Sequence, residues 1–517
     1  MARGLPEEEK ERKERLAAER EAKKREKQAE KERIEREELE RLNARICDAK
    51  KTRRKAEADI RRRKAANAFS AVNGCAKSVF NKASVRYEKA AEVLSRFAAK
   101  QYALPVLIAA AFLGIYLTAL IGGYNAFGFD TQMQFTFYQF FLCDFSAGFV
   151  SRVIVGAVTS LFLDTVSIKQ MTVIASAAVL MSLLLFAGII GAVLRKGLKE
   201  RAFVPVLFAL VMMFEPVIVQ SNYMFLGTLD IYSLIIFLLT LITYGTPLFY
   251  IAAPVLSLLG MTVHYHYMFS FFPVVIALFV YDTFLAEKKS RRVGSAAGLC
   301  VTAASGGSLF LYFVFFAKDH LKCSADEFYE LMVSRFDVTP YVRKSLEKVM
   351  DGNVVFRDYF DYYIFGYNKG AFYYDSGADF IDFLRRDRIA RAPGSLYTKY
   401  FALALPVLLA FAALWIVCAA KQKGSRKLPY IAFACILLAL FPELFISSDV
   451  PRWFSATLTC QFTLLFAVYL RGDRTVREIL SPREDTRAFR KKCVCMLCAA
   501  VYIIAVLIVG RKMPMFY

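Results

Sequence analysis

Runs of roughly 17–25 apolar residues, almost free of charge, recur along the chain, and each is long enough to cross about 30 Å of hydrocarbon. Lipid gives the backbone no hydrogen-bond partners, so segments of this kind satisfy their own N–H and C=O groups as helices. The blocks cover residues 103–124, 171–194, 203–220, 231–246, 248–263, 267–284, 295–317, 400–420, 428–446, 452–470 and 493–510. They predict one fold class, all-α: a polytopic membrane helix bundle of about eleven transmembrane helices. The 57% hydrophobic content of the 517 residues is the sum of these blocks.

Charge fixes the expected orientation. The loops after the second, sixth, eighth and tenth blocks would all lie on one side if the spans alternate. They carry Arg195, Lys196, Lys199 and Arg201; Lys288, Lys289, Arg291 and Arg292, ahead of the seventh block; Lys421, Lys423, Arg426 and Lys427; and Arg471, Arg474 and Arg477. Short loops rich in Lys and Arg stay cytoplasmic. The expectation is a multi-pass protein of the cell membrane with a cytoplasmic N-terminus. The start has no short apolar core of a secretory signal, so residues 103–124 are expected to act as an uncleaved first span. About half of the net charge of +22 lies in residues 1–100. That excess is expected to face anionic inner-leaflet lipid, chiefly through residues 45–64, and not nucleic acid.

Five regions follow. Residues 1–64 form a charged cytoplasmic helix, in which Glu9 and Lys13, Glu11 and Arg15, Glu19 and Lys23, Glu21 and Arg25, and Glu37 and Arg41 stand four apart. Leu16, Ile34, Leu39 and Leu42 are too sparse for a heptad seam, so a lone solvated helix is expected over a coiled coil. Residues 65–102 are a basic amphipathic juxtamembrane segment. Residues 103–316 hold spans 1–7 with a long outer loop at 125–170. Within that loop, 149–163 is too short to span comfortably and is expected to lie at the interface or re-enter. Residues 317–399 form a large outer loop with 13 basic and 13 acidic residues, expected to fold as a small, mostly helical outer-face cap. Residues 400–517 hold spans 8–11.

Charges at the membrane are costly and mark candidate sites. Asp130, Asp144 and Arg152 lie in the first long loop; Asp144 and Arg152 read either as an acid with a basic anchor for an anionic ligand, or as an ion pair capping the short helix after Gly148. Glu215 interrupts an apolar run and needs a partner or a proton. Asp230 opens the next span, where it could serve as an N-cap. His264 and His266 would diverge on a helix but share a side in an extended segment; ligand binding or base catalysis competes with aromatic-belt packing. Arg452 stands against the positive-inside trend, with Asp449 as its near partner or a lipid-linked phosphate as its ligand. Of the eleven cysteines, Cys143 and Cys323 both fall in outer loops and could pair in an oxidising compartment. Cys493, Cys495 and Cys498 have no His or acid beside them and fit core thiols better than a metal site. No P-loop, G-x-S-x-G or HExxH occurs in a fitting context, which removes support for ATP-driven transport and serine hydrolysis.

The order of parts resembles the membrane glycosyltransferases of the GT-C class. In that class the first long outer loop bears an acid and an interfacial helix, acids occur between the third and fourth spans, and a second long loop follows the seventh. Asp130 and Asp144, Asp230, and Ala317–Lys399 stand in those places. The likeness covers residues 103–420. Phe145–Ala157, Val263–Pro273 and Asp449–Trp453 also resemble recurrent patterns in uncharacterised bacterial polytopic membrane proteins, with Tyr265 where an acid is frequent. The resemblance implies a transferase moving a sugar from a polyprenyl-phosphate-linked donor in cell-envelope glycan assembly. Asp130 or Asp144 would be the acid, base or ligand of a divalent metal, Arg152 and Arg452 would hold phosphate, and Glu215, Asp230, His264 and His266 would shape the pocket. The alternatives are a transporter or flippase for lipid-linked or anionic substrates, and a non-catalytic scaffold.

Overall fold

The computed structural model describes residues 11–12, 15–16, 18–36, 38, 41, 103, 105–111, 114, 139–200, 202–215, 217–218, 226–317, 322, 324–337, 396–439 and 450–480. The chain divides into two compact units, 1–86 and 87–517. In the first, residues 18–36 form a helix whose side chains are all exposed, with Arg25 within 3.8 Å of Glu21 one turn earlier. Such exposed i,i+4 pairs support a lone helix by a few tenths of a kcal/mol. The basic segments 45–64 and 65–102 lie outside the described residues.

The second unit is a helix bundle, and its helices among the described residues include α1 (Gln139–Leu142), α2 (Ile154–Ser160), α3 (Ile168–Lys199), α4 (Phe203–Phe214), α5 (Leu229–Thr243), α6 (Phe249–Val263), α7 (Tyr267–Ser270), α8 (Phe272–Leu285), α9 (Lys289–Leu311), α10 (Ala325–Arg335), α11 (Leu396–Ala420), α12 (Leu428–Cys435), α13 (Val450–Arg471) and α14 (Arg474–Leu480). Among the described residues, five stretches are long and apolar enough to cross a membrane: Ile168–Lys199, Tyr267–Leu285, Lys289–Phe316, Leu403–Ala420 and Arg452–Arg471. Three shorter apolar helices lie beside them: Val204–Met213, Leu229–Thr243 and Phe249–Val263.

The short ones have local causes. The helix of the block 203–220 is interrupted at Glu215, whose buried carboxylate accepts the Ile218 N–H at 2.7 Å, and residues 217–218 are helical again. The blocks 231–246 and 248–263 meet in a tight turn at Gly245, where φ is +99°, so α5 and α6 keep 15 residues each. At 1.5 Å per residue that is about 22 Å. The blocks 103–124 and 493–510 fall partly or wholly outside the described residues.

Neighbouring helices pack as antiparallel pairs, α5 with α6 and α8 with α9, while α3 lies against α4, α5 and α13. The helix α13 sits at the centre: Leu458, Cys460, Phe462, Leu464, Val468 and Tyr469 are wholly buried. Its buried Gln461 is paired on both sides inside the bundle. Gln461 accepts from Trp415 Nε1 at 2.7 Å and donates to the Phe433 carbonyl at 3.2 Å. By contrast α9 buries only Ser295, Gly298, Thr302 and Gly306 and exposes Val293, Val301 and Leu311, as a lipid-facing helix does. Gly298 and Gly306 let it approach the rings of Phe279 and Phe272.

The four basic loops come together at one end of this bundle. Lys196 Nζ donates to the Tyr469 and Leu470 carbonyls, at 2.7 and 2.9 Å. Asp282 is held by Arg291 at 2.9 Å and Arg471 at 3.7 Å, and Gln422 donates to Thr475 at 2.6 Å. Asp473 accepts from the Tyr281 and Tyr430 hydroxyls and the Val476 N–H, at 2.6, 2.7 and 2.7 Å.

At the opposite end two loop segments far apart in sequence join. Val166–Ser167 pairs in parallel with Phe336–Asp337, two strands of two residues each, so the loop expected as a mostly helical cap contributes a short strand here. Arg335 donates to the Leu142 carbonyl at 3.0 Å and lies 3.4 Å from Asp144. The expected interfacial helix is α2, only seven residues or about 10 Å long, which excludes a span there. Its tip, Leu161 and Phe162, is 76% and 80% exposed. Gly156 is the closest approach of α2 to the chain before it, directly over the Cys143 carbonyl.

Candidate functional site

The end of the bundle away from the basic loops carries a compact polar cluster, built from the starts of α5 and α13, the α6–α7 turn and the entry to α2. The N-cap of α5 is Thr228, so Asp230 lies inside the first turn and is not the cap. A helix start favours a carboxylate there. Asp230 accepts from Arg452 Nε at 2.5 Å and from its terminal nitrogen at 2.8 Å, a two-point ion pair between α5 and α13. Arg452 thus has a partner in Asp230, 222 residues away in sequence; Asp449, the near partner expected, lies outside the described residues.

The helix α6 ends at His264, whose backbone is extended (φ −159°, ψ 119°). That break puts two histidines on one short turn, with ring centroids 5.4 Å apart. The His266 N–H donates to His264 Nδ1 at 3.0 Å. A neutral imidazole has one N–H, so with Nδ1 accepting, the His264 proton sits on Nε2. The His266 ring is buried and packs edge-on against Trp453, the residue after Arg452.

Ser151 and Arg152 clamp this turn to the entry of α2. Ser151 Oγ donates to the Met261 carbonyl at 3.3 Å and accepts the Tyr265 N–H at 3.0 Å; the Arg152 N–H donates to the Thr262 carbonyl at 3.1 Å. Arg152 has φ +77°, the one non-glycine residue with positive φ among the described residues. An L-residue pays about 1–2 kcal/mol for that conformation. Its guanidinium lies 5.2 Å from the centre of the Tyr265 ring and donates to the hydroxyl at 3.2 Å, while its buried Nε meets no hydrogen-bond partner among the described residues.

These contacts link Arg152, Tyr265, His264, His266, Trp453, Arg452 and Asp230. Burial is the main force on both imidazoles. It holds His264 well below the usual histidine range, helped by Arg152, His266 and Arg452. It lowers His266 to about 3, with Asp230 pulling the other way and Arg452 and Arg152 adding to the fall. Both histidines are neutral at pH 7. Unfolded, each takes a proton near pH 6.5. Between there and about pH 3 the folded chain binds fewer protons than the unfolded one, so stability is complete above pH 6.5 and falls as pH falls. The thermal midpoint in detergent is expected to be flat from pH 8 to 7 and to drop from 6.5 to 5, by up to about 1.4 kcal/mol per pH unit per histidine. His264→Asn and His266→Asn should flatten the slope; a midpoint that rises on acidification contradicts burial of neutral rings.

The other sequence candidates lie elsewhere. Asp144 does not pair with Arg152: its carboxylate caps the turn Phe145–Ala147 through Ser146 N at 2.9 Å, bonds the Ser146 hydroxyl and meets Arg335. The ion pair expected to cap the helix after Gly148 is absent: Asp144 caps the turn before Gly148, and its ionic partner comes from the second long loop. Glu215 is fully buried and holds the chain after α4. Asp130 lies outside the described residues. Cys143 is a free thiol, buried, donating to the Gln139 carbonyl at 2.8 Å, with burial pushing it up to about 12; no disulfide forms there. No three His, Cys, Asp or Glu side chains are grouped to hold a metal among the described residues. Tyr265, Trp453 and Ser151 were visible in the motifs only as neighbours of charged residues.

Comparison with protein families, with characterised proteins and with solved structures finds no match to this chain.

Proposed function

We propose that the chain crosses the cell membrane about eleven times, with its N-terminus cytoplasmic and the Arg152–His264–His266–Asp230–Arg452 cluster at the outer face. There it would bind the phosphate of a polyprenyl-phosphate-linked donor and transfer the sugar to an acceptor in cell-envelope glycan assembly, as a GT-C-like glycosyltransferase. The observation that supports this most is the convergence of two guanidiniums and two neutral imidazoles at the end of the bundle remote from the basic loops. A lipid-linked donor reaches such a place through the bilayer, with its phosphate at the surface.

In this proposal the acceptor oxygen bonds to the anomeric carbon as the bond from that carbon to the phosphate oxygen breaks. The lipid phosphate leaves with the electron pair, and the acceptor proton passes to a neutral base. In this reading His266 is preferred to Asp144, which is engaged with Arg335 and Ser146: its resting ring is neutral, and Asp230 opposes the burial that disfavours the transient imidazolium.

The test is turnover by the whole chain in nanodiscs, with a labelled polyprenyl-phosphate sugar and a mixed glycan acceptor. The expected result is release of polyprenyl phosphate, reduced by about 10²–10⁴-fold in His266→Ala. Movement of intact donor across a proteoliposome, with no bond cleaved, would replace the transferase with the flippase. Loss of all function on deleting residues 1–64, with turnover never detected, would favour the scaffold.

A further inference from the structure

The geometry points to Arg152, with the His264 Nε2–H beside it, as the oxyanion contact of the outer cluster, and to Arg452 as the strut that positions Asp230. This rests on the cluster being an anion site but not on sugar transfer. The two arginines look alike in sequence, and the resemblance gives both to phosphate. In the structure they differ. Arg452 spends Nε and a terminal nitrogen on Asp230, so its charge is offset. Arg152 pairs with no carboxylate among the described residues, has a buried Nε with no hydrogen-bond partner, and touches only the neutral hydroxyl and ring face of Tyr265.

The backbone gives an independent reason. At φ +77° a glycine would sit without strain, and the neighbours already anchor the turn: Val150 and Val153 are buried, and Ser151 bonds both Met261 and Tyr265. The Arg152 N–H bond to Thr262 needs no side chain. What the arginine adds over glycine is the guanidinium, held on the Tyr265 ring, which itself lies 5.2 Å from the His264 ring, and near enough for its charge to act on both histidines. The His264 tautomer matches this: with Nδ1 taken by the His266 N–H, Nε2 offers a proton and cannot accept one. A guanidinium with no direct ion pair among the described residues and a neutral N–H donor fit one singly charged oxyanion, as on a phosphodiester or a phosphate monoester that keeps its proton.

The experiment uses the full chain in nanodiscs and reads the thermal midpoint with polyprenyl phosphate and, separately, with inorganic phosphate. Wild type should rise with a probe. Arg152→Gly should have an unliganded midpoint equal to or above wild type and above Arg152→Ala, which keeps the strain, while its apparent affinity for the probe falls at least tenfold. Arg152→Lys should lose less. A response to inorganic phosphate assigns the oxyanion to a soluble source, and a response to polyprenyl phosphate alone assigns it to a lipid headgroup; either, if lost in Arg152→Gly, supports the inference. A probe response that persists in Arg152→Gly, no response to either probe, or an Arg152→Gly midpoint below that of Arg152→Ala overturns it. Absent turnover with the probe response intact counts against the transferase alone.

Discussion

Arg452→Ala is expected to destabilise the bundle by about 3 kcal/mol, because it strands the Asp230 carboxylate in a largely buried place. The two side chains are 26% and 16% exposed, so the loss should fall at the low end for a broken buried pair. The same change releases α13 from α5 at the mouth and moves Trp453 off His266. Asp230→Asn with Arg452→Gln should cost much less than either single truncation, since neither group is then a lone charge. A double-mutant cycle on denaturant midpoints should show a coupling of about 2–3 kcal/mol. A coupling near zero would mean that the pair is an exposed contact without structural weight.

The second large effect lies at the opposite end. Asp473→Ala removes an acceptor shared by Tyr281 of α8, Tyr430 of α12 and the Val476 N–H of α14. Three helices lose a common point, and two hydroxyls packed in the bundle lose their strongest acceptor. Hydrogen bonds to a charged group are worth about 1.5–3 kcal/mol each, but they are not additive here, so a total of about 3–4 kcal/mol is expected. Asp473→Asn keeps one acceptor oxygen and should recover about half of it. Chymotrypsin cutting of α14 in the detergent-solubilised chain should rise in parallel with the loss of midpoint. An Asp473→Ala chain as stable as wild type would show that the inner clamp is redundant with Lys196, whose ammonium caps the α13 carbonyls independently.

The long apolar helices were legible because lipid imposes length and composition at once. Ile168–Lys199 and Arg452–Arg471 match their sequence blocks within a few residues. Where the block was right and the helix shorter, a polar residue decided it: Glu215 turned a carboxylate back onto the chain, and Gly245 took a positive φ. The gathering of the four basic loops at one end was also legible, since alternation of spans follows from their number. The site was legible only as a set of residue types. Arg452 takes Asp230 from another helix, a pairing that no spacing suggested; Asp144 was offered Arg152 and took Arg335 from the second long loop. Pairings over 190 residues or more leave no periodicity to read. The left-handed backbone at Arg152 was equally hidden, because an arginine is the last residue type that would suggest it.

The placement of the cluster at the outer face is tested most directly by sidedness. Single cysteines at Lys322, in the second long loop, and at Lys427, in a basic loop, would be set in a chain with its own cysteines replaced and treated in intact cells with a membrane-impermeant maleimide. The account predicts labelling at 322 in intact cells, and at 427 only after permeabilisation. Labelling at 427 in intact cells with protection at 322 would put the arginine–histidine cluster in the cytosol and contradict the proposed chemistry.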